Sequence, residues 1–375
     1  AFDAALATLD WPVGTVVLMS AINIADMGRI VTERGFRLIP LEVDPDTLAP
    51  DPTDVINTIE RLRADQTNPP IRALCLTHLF GSRIDLAPFA EIAKRYGLQL
   101  WEDAAQAFTA ELPAMVGQPG GATLLSATAL PAGVDLTLTS FGLIKTQTAL
   151  GGGLASFRDV DWCERTRRLM ETWPRQPEGE FFLRGVIRGT AISLMTQPFV
   201  FTLFANAAIS VGLDLDGLLG GVTRGFAGGD VWSRIRRRPA IRLLLLLRRR
   251  LQHPDPRGAE ARAQLADQYR AALPESVLVG TKARFPTTWV FPIRVHNPDL
   301  LREDLARAGY DATRRASRLV VLEAENSSNP DPRSRWLDDL LYLPLHPGVS
   351  DQDVAAISRI TANHLAQQYA GYRSL

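Results

Sequence analysis

The run Leu98-Gln99-Leu100-Trp101-Glu102-Asp103-Ala104-Ala105-Gln106-Ala107 decides how the rest of this chain is read. Its first five residues have the apolar bulk of a strand, and an acid and small residues follow at once. Upstream, Arg72 to Thr77 is a second strand of continuous apolar character, as in a parallel sheet covered on both faces. Between them Pro88 to Tyr96 reads as a crossover helix, with proline in its first turn and Gly97 at its end. The alternation extends outward. Leu38 to Val43 and Val16 to Met19 are strands. Asp54 to Ala64 and Ile24 to Arg34 are helices, the latter closed by Gly35, and Ala1 to Leu9 is an amphipathic helix. Downstream, Asp135 to Thr139 is a strand running into Ser140-Phe141-Gly142-Leu143-Ile144-Lys145, with Gly151-Gly152-Gly153 soon after. Alternating strand and helix through about residue 160 specifies a doubly wound α/β fold with a mostly parallel sheet and helices on both faces.

Ligands of such sheets bind beyond the carboxyl ends of the strands. Asp103, Ser140 and Lys145 stand at those ends. A carboxylate, a hydroxyl and an amine there match the needs of pyridoxal 5'-phosphate (PLP). Lysine forms a Schiff base with the cofactor aldehyde, and the carboxylate pairs with the protonated pyridine nitrogen. The hydroxyl would bond a phosphate oxygen. Taken singly, each has a plainer reading: Asp103 as a helix cap, Ser140 as a turn residue, Lys145 as a solvated loop lysine. His78, at another strand end, either approaches the substrate or packs in the loop before Gly81.

Trp101 to Ala107 and Ser140 to Lys145 resemble the two signature motifs of the DegT/DnrJ/EryC1/StrS aminotransferases, fold-type I PLP enzymes that aminate sugar-linked ketones. The likeness extends to Asp44-Pro45-Asp46-Thr47-Leu48, to Thr77-His78-Leu79-Phe80-Gly81 and to Leu343-Pro344-Leu345-His346-Pro347-Gly348. It implies that Gln106 reaches the cofactor's phenolic oxygen. It also puts Ile22 against the cofactor ring, where relatives often carry an aromatic residue. A homodimer, glutamate as amino donor and a nucleotide-linked keto sugar as acceptor follow from the same resemblance. There are departures: a glutamate usual after the lysine is absent from Leu150-Gly151-Gly152-Gly153, and an asparagine expected before an Arg-Met pair has no counterpart near Arg238-Pro239. By the same resemblance, the family's Gly/Ser-Thr phosphate loop precedes the helix that Ala1 to Leu9 continues, so an incomplete N-terminus is expected.

With 375 residues the chain can form about two domains. The 41 basic and 41 acidic residues cancel, so no bulk field argues for nucleic acid. Two cysteines, Cys75 and Cys163, exclude a disulfide scaffold and suit a reducing cytosol, Cys75 reading as a core thiol. No metal-ligand spacing occurs. The middle differs. Residues 189–213 carry no charge, and Arg234 to Arg250 holds eight arginines around a leucine block with no acid. Interfacial contact with an anionic membrane, a buried helical hairpin at the dimer interface, where the resembled family also places a helical pair, and a true span are all open readings.

The division expected is a PLP-binding large domain over 1–164, a helical apolar and arginine-rich segment over 165–256 and a smaller α+β domain over 257–375. In the last, Arg257 to Leu273 and Leu300 to Ala308 are helices, Thr288 to Val295 a strand, Glu323 to Arg335 a polar loop and Asp351 to Tyr369 a helix capped by Ser350. The function expected is PLP-dependent transamination through Lys145, in the cytoplasm or peripherally at the membrane's inner face. The alternatives are decarboxylation or elimination on the same cofactor, or a non-catalytic membrane-associated relative.

Overall fold

The computed structural model describes residues 1–65, 67–107, 130–142, 145, 148–195, 199–200, 203, 231–253, 257–314, 318–324, 332–346 and 348–372. It forms two compact units, neither continuous in sequence. One comprises residues 1–9 with 138–254, the other 10–137 with 255–375.

In the 10–137/255–375 unit, β1 (Val16–Ser20), β2 (Ile22–Ile24) and β3 (Arg37–Leu41) are followed by β4 (Ile71–Thr77) and β5 (Gln99–Asp103). The helices between them are α2 (Ala25–Glu33), α3 (Pro52–Ala64) and α4 (Ala87–Tyr96), α1 (Phe2–Ala7) belonging to the other unit. The sheet order is β3-β1-β4-β5, with every one of these pairings parallel. The doubly wound α/β reading therefore holds. β1 is buried throughout, and only Arg72 of β4 is exposed, because helices cover the sheet. Val16, Leu74 and Leu100 share a core with Val55 and Ile59 of α3 and Ile92 of α4. Each such side chain contributes about 1.5–3 kcal/mol on burial.

Local chemistry sets the helix ends. The Asp51 carboxylate accepts from the Thr53 and Asp54 amides at 2.7 and 3.3 Å, and Pro52 opens α3. Gly97, at φ 66°, ends α4 in the left-handed conformation. Gly81 is required more strictly: at φ 98°, an added Cβ would lie 2.1 Å from the Thr287 carbonyl oxygen.

The same unit holds α9 (Arg257–Ala272), β8 (Phe291–Arg294), α10 (Pro298–Arg307), β9 (Leu319–Val321), β10 (Leu340–Leu343) and α11 (Asp351–Tyr372). β8 and β10 pair antiparallel, as do β2 and β9. Ser350 caps α11 reciprocally: its amide and hydroxyl donate to Asp353 Oδ2 at 2.8 and 2.7 Å, and Asp353 N donates to Ser350 Oγ at 3.3 Å. Two expectations need correction. The strand expected from Thr288 begins only at Phe291. Of the expected 323–335 loop, residues 325–331 lie outside the described residues, and Pro332–Asp339 is a 3₁₀ helix. Trp336 holds that helix down, its Nε1 donating to the Val43 carbonyl at 3.0 Å and its ring edge-on to Phe80.

In the 1–9/138–254 unit the latter part of β6 (Leu136–Ser140) lies beside β7 (Gly153–Phe157), followed by α5 (Val160–Glu171), α6 (Glu178–Met195), α7 (Val231–Ile235) and α8 (Ile241–Gln252). α5 holds α1 through Trp162 Nε1 on the Ala5 carbonyl at 3.0 Å and Thr8 Oγ1 against Thr166 Oγ1 at 2.9 Å. Most of the 189–213 run, and the loop at 225–229, lie outside the described residues. Among the described residues no helix is long and apolar enough to cross a membrane.

Candidate functional site

In a doubly wound sheet the crevice opens where successive crossovers diverge. Here that point is between β1 and β4, since the chain passes from β1 outward to β3 and then returns to the other side for β4. Polar side chains gather at the carboxyl ends beside it. Thr77 N donates to Ser20 Oγ at 3.1 Å. Asn23 Nδ2 donates to Thr77 Oγ1 at 2.7 Å and to Asp103 Oδ2 at 3.2 Å, while its own oxygen accepts from Ile24 N at 2.7 Å. The other Asp103 oxygen accepts from Ala105 N at 3.1 Å. Asp103 is only 5% exposed, so these donors replace water around a carboxylate that burial alone would disfavour. Cys75 lies in β4 close by. Burial, and then the charge of Asp103, pushes its thiol well up, and it remains a protonated core group.

His78 and Glu102 form a second buried pair, with His78 Nε2 2.8 Å from Glu102 Oε1. His78 Nδ1 accepts from Ile84 N at 3.1 Å, so the imidazole hydrogen faces the glutamate. Thr137 Oγ1 donates to Glu102 Oε2 at 2.6 Å. Burial pulls the Glu102 carboxyl upward, but the His78 and Thr137 hydrogen bonds and nearby positive charge outweigh it, holding it below its ordinary 4.5. Both His78 nitrogens thus bond within the protein.

Gln106 Oε1 accepts from Phe80 N at 3.0 Å. Phe80 adopts φ 58°, a costly conformation for a non-glycine residue, and that hydrogen bond helps hold it. Ile22 is fully buried among Leu48, Phe80 and Trp336. Its strand neighbour Asn23, on the opposite face of the pleat, is the residue that turns to Asp103.

Ser140 and Lys145 belong to the other unit, where the chain closes a tight loop. The Phe141 carbonyl accepts from Ala149 N and Gly151 N, both at 3.0 Å, and Phe141 N donates to the Gly152 carbonyl at 3.0 Å. Lys145 N donates to the Gly142 carbonyl at 3.0 Å. A Cβ on Gly142 would stand 3.9 Å from both Lys145 Cγ and Ser140 Oγ, so hydroxyl and lysine stem flank one small residue. Leu143 and Ile144 lie outside the described residues. Leu150, at φ 66°, stores strain at the turn back into β7.

Ile22, His78, Asp103 and Gln106 are therefore held in one unit, and Ser140 and Lys145 in the other. Sequence reasoning missed Asn23 and Thr77. Their signal is polar residues at or just after the ends of apolar strands, readable as a pair only once β1 and β4 are known to be neighbours. Among the described residues no group of three or more His, Cys, Asp or Glu side chains could hold a metal.

Comparison with known proteins agrees with this architecture. Residues 1–180 match the model of the DegT/DnrJ/EryC1/StrS aminotransferase family. Over 161 residues, 43% of this chain and 36% of the relative, the sequence is 28% identical to the dTDP-4-dehydro-2,3,6-trideoxy-D-glucose 4-aminotransferase of Saccharopolyspora spinosa. Over 98 residues, 26% of this chain and 20% of the relative, it is 34% identical to the L-glutamine:2-deoxy-scyllo-inosose aminotransferase of Streptomyces kanamyceticus. The matched stretches thus span about a third or less of those relatives. A DegT/DnrJ/EryC1/StrS aminotransferase from Brucella abortus shares the fold with a TM-score of 0.62 and 18% identity, over 97% of this chain and 83% of that one.

Proposed function

We propose that this chain, whose residues 1–180 match the model of the DegT/DnrJ/EryC1/StrS aminotransferase family, is a PLP-dependent aminotransferase moving an amino group from glutamate to a nucleotide-linked keto sugar. The observation that carries the reading is Asp103, a carboxylate buried at the end of a parallel strand with one oxygen on Asn23 and the other on a backbone amide. In its own unit, a carboxylate held without solvent fits a cationic pyridine nitrogen; in the other, the Ser140 hydroxyl and the Lys145 stem that flank Gly142 are a donor and an amine-bearing chain of the kinds that a phosphate and an aldehyde call for. When bound, that cofactor supplies a carbonyl carbon for amine exchange and an electron-withdrawing ring.

The chain's residues do the rest. Lys145 Nζ would hold the aldehyde end of the cofactor and would serve as the base for the proton on the carbon bearing the amino group. Asp103 would keep the ring nitrogen protonated, Gln106 has an NH2 to offer the phenolic oxygen, and Ser140 would donate to phosphate. Asn23 is added here as the residue that positions Asp103. His78 acts from behind the site, through the loop it braces. The partners of the reading are a second copy of the chain, as a homodimer, and an anionic membrane surface touched peripherally.

The test is the absorption spectrum of the protein loaded with PLP. A visible band that borohydride reduces, present in the parent and absent in Lys145→Ala, is the expected result, with glutamate converting the parent's band and leaving the variant unchanged. A reducible band surviving in Lys145→Ala overturns the assignment.

A further inference from the structure

We propose that a cavity at the amino-terminal end of β4 binds a small phosphate monoester. The site is separate from the aminotransferase reading and does not depend on it. It lies within the 10–137/255–375 unit, at the opposite end of β4 from Thr77 and its neighbour Asp103. β4 is seven residues long, so about 20 Å of strand separates Ile71, in the cavity lining, from Thr77.

The space measures about 300 Å³. Pro69 and Pro70, with φ fixed by their rings, make a stiff apolar wall beside Ile71, and the charged lining is Arg63, Arg72 and Asp65. Both arginines are set in place by backbone. The Arg63 guanidinium donates to the Tyr96 carbonyl at 2.5 Å and lies over the Tyr96 ring, 5.0 Å from its centroid. Arg72 is delivered by a bulge: Val16 pairs with Ile71 and Val17 with Ala73, so Arg72 is the extra residue of β4. It is the one exposed position in an otherwise buried strand. Neither arginine forms an ion pair among the described residues, and Asp65 turns its Oδ1 to the Thr67 amide and hydroxyl, at 3.0 and 2.6 Å.

Charge and hydrogen bonding select the ligand. α3 and α4 both end beside this cavity, and unpaired carbonyls at a helix end would repel an anion. They are taken instead. The Leu62 carbonyl accepts from Asn68 Nδ2 at 3.0 Å, the Ala93 carbonyl from Leu98 N at 2.8 Å, and the Tyr96 carbonyl from Arg63. Two guanidinium forks then face the cavity against a single carboxylate. One fork matches two oxygens of an oxyanion, and two forks match the three free oxygens of a phosphate monoester, whose two negative charges they also balance. The volume is that of about ten waters in the liquid, which leaves room for an organic group on the fourth oxygen, against the prolines.

The test is isothermal titration calorimetry of the full chain, purified with PLP, at constant ionic strength. The probes are glycerol 3-phosphate, inorganic phosphate and glycerol. One saturable site per chain is expected for glycerol 3-phosphate, about fivefold tighter than for inorganic phosphate, with no binding of glycerol. Arg72→Gln, at an exposed position, weakens binding at least about tenfold with the melting temperature retained, and Arg63→Gln weakens it to a similar extent. Asp65→Asn keeps an oxygen for Thr67, removes the opposing charge and tightens binding about threefold. Absence of a saturable site, or unchanged affinity in Arg72→Gln, overturns the proposal. So does weaker binding in Asp65→Asn, the result that a purely structural role of this turn would give. Equal affinity for inorganic phosphate and glycerol 3-phosphate overturns the assignment to an ester.

Discussion

Asn23 shares its two amide hydrogens between Thr77 Oγ1 and Asp103 Oδ2, both buried. Asn23→Ala takes a donor from each oxygen, and the expected loss is about 1–3 kcal/mol of unfolding free energy by urea titration, with weaker PLP retention. An unchanged urea midpoint together with unchanged PLP affinity contradicts the positioning role. Glu102 tests the second pair. Its carboxyl lies below 4.5 in the folded chain, so its contribution to stability is complete above the unfolded value and is lost as pH falls through the folded one. Glu102→Gln is therefore less stable than the parent at neutral pH, and the difference narrows as pH drops below about 4.5, measured by urea midpoints across that range. A constant difference at every pH contradicts it. At this scale the acid, glutamine, serine and lysine each sit in a motif that the sequence displays by itself. Asn23 does not, because its role depends on Thr77 and Asp103, 54 and 80 residues away.

Elements depend on backbone as much as side chain. The loop Thr77-His78-Leu79-Phe80-Gly81 leaves β4 through two consecutive positive φ values, at Phe80 and Gly81. Gly81→Ala adds a Cβ in that conformation directly against the Thr287 carbonyl, and a loss of at least about 3 kcal/mol is expected, read as a fall in melting temperature or in soluble yield. Parent-like melting of Gly81→Ala would refute it. Alternating strands and helices were legible because covered parallel strands are continuously apolar and their helices carry caps at Asp51 and Gly97. The three-residue β2 and the 332–339 3₁₀ helix were not. β2 exists through its pairing with β9, some 300 residues later, and the 3₁₀ helix is held by Trp336 reaching the Val43 carbonyl.

For the whole molecule the functional reading expects two copies, so light scattering should give twice the 41.2 kDa of the chain, and a single-chain mass would remove the homodimer from the reading. The sequence by itself determined the doubly wound sheet, the acid and lysine motifs and the charge asymmetry of the arginine-rich segment. All three are written in contiguous residues whose periodicity, caps or charges act over a few positions. Only the tertiary structure decided that Asn23 and Thr77 hold Asp103, that His78 spends both nitrogens inside the protein and that Ile22 lies in a core. Those facts depend on which strands become neighbours. Contacts between distant residues choose among faces that local sequence leaves equivalent.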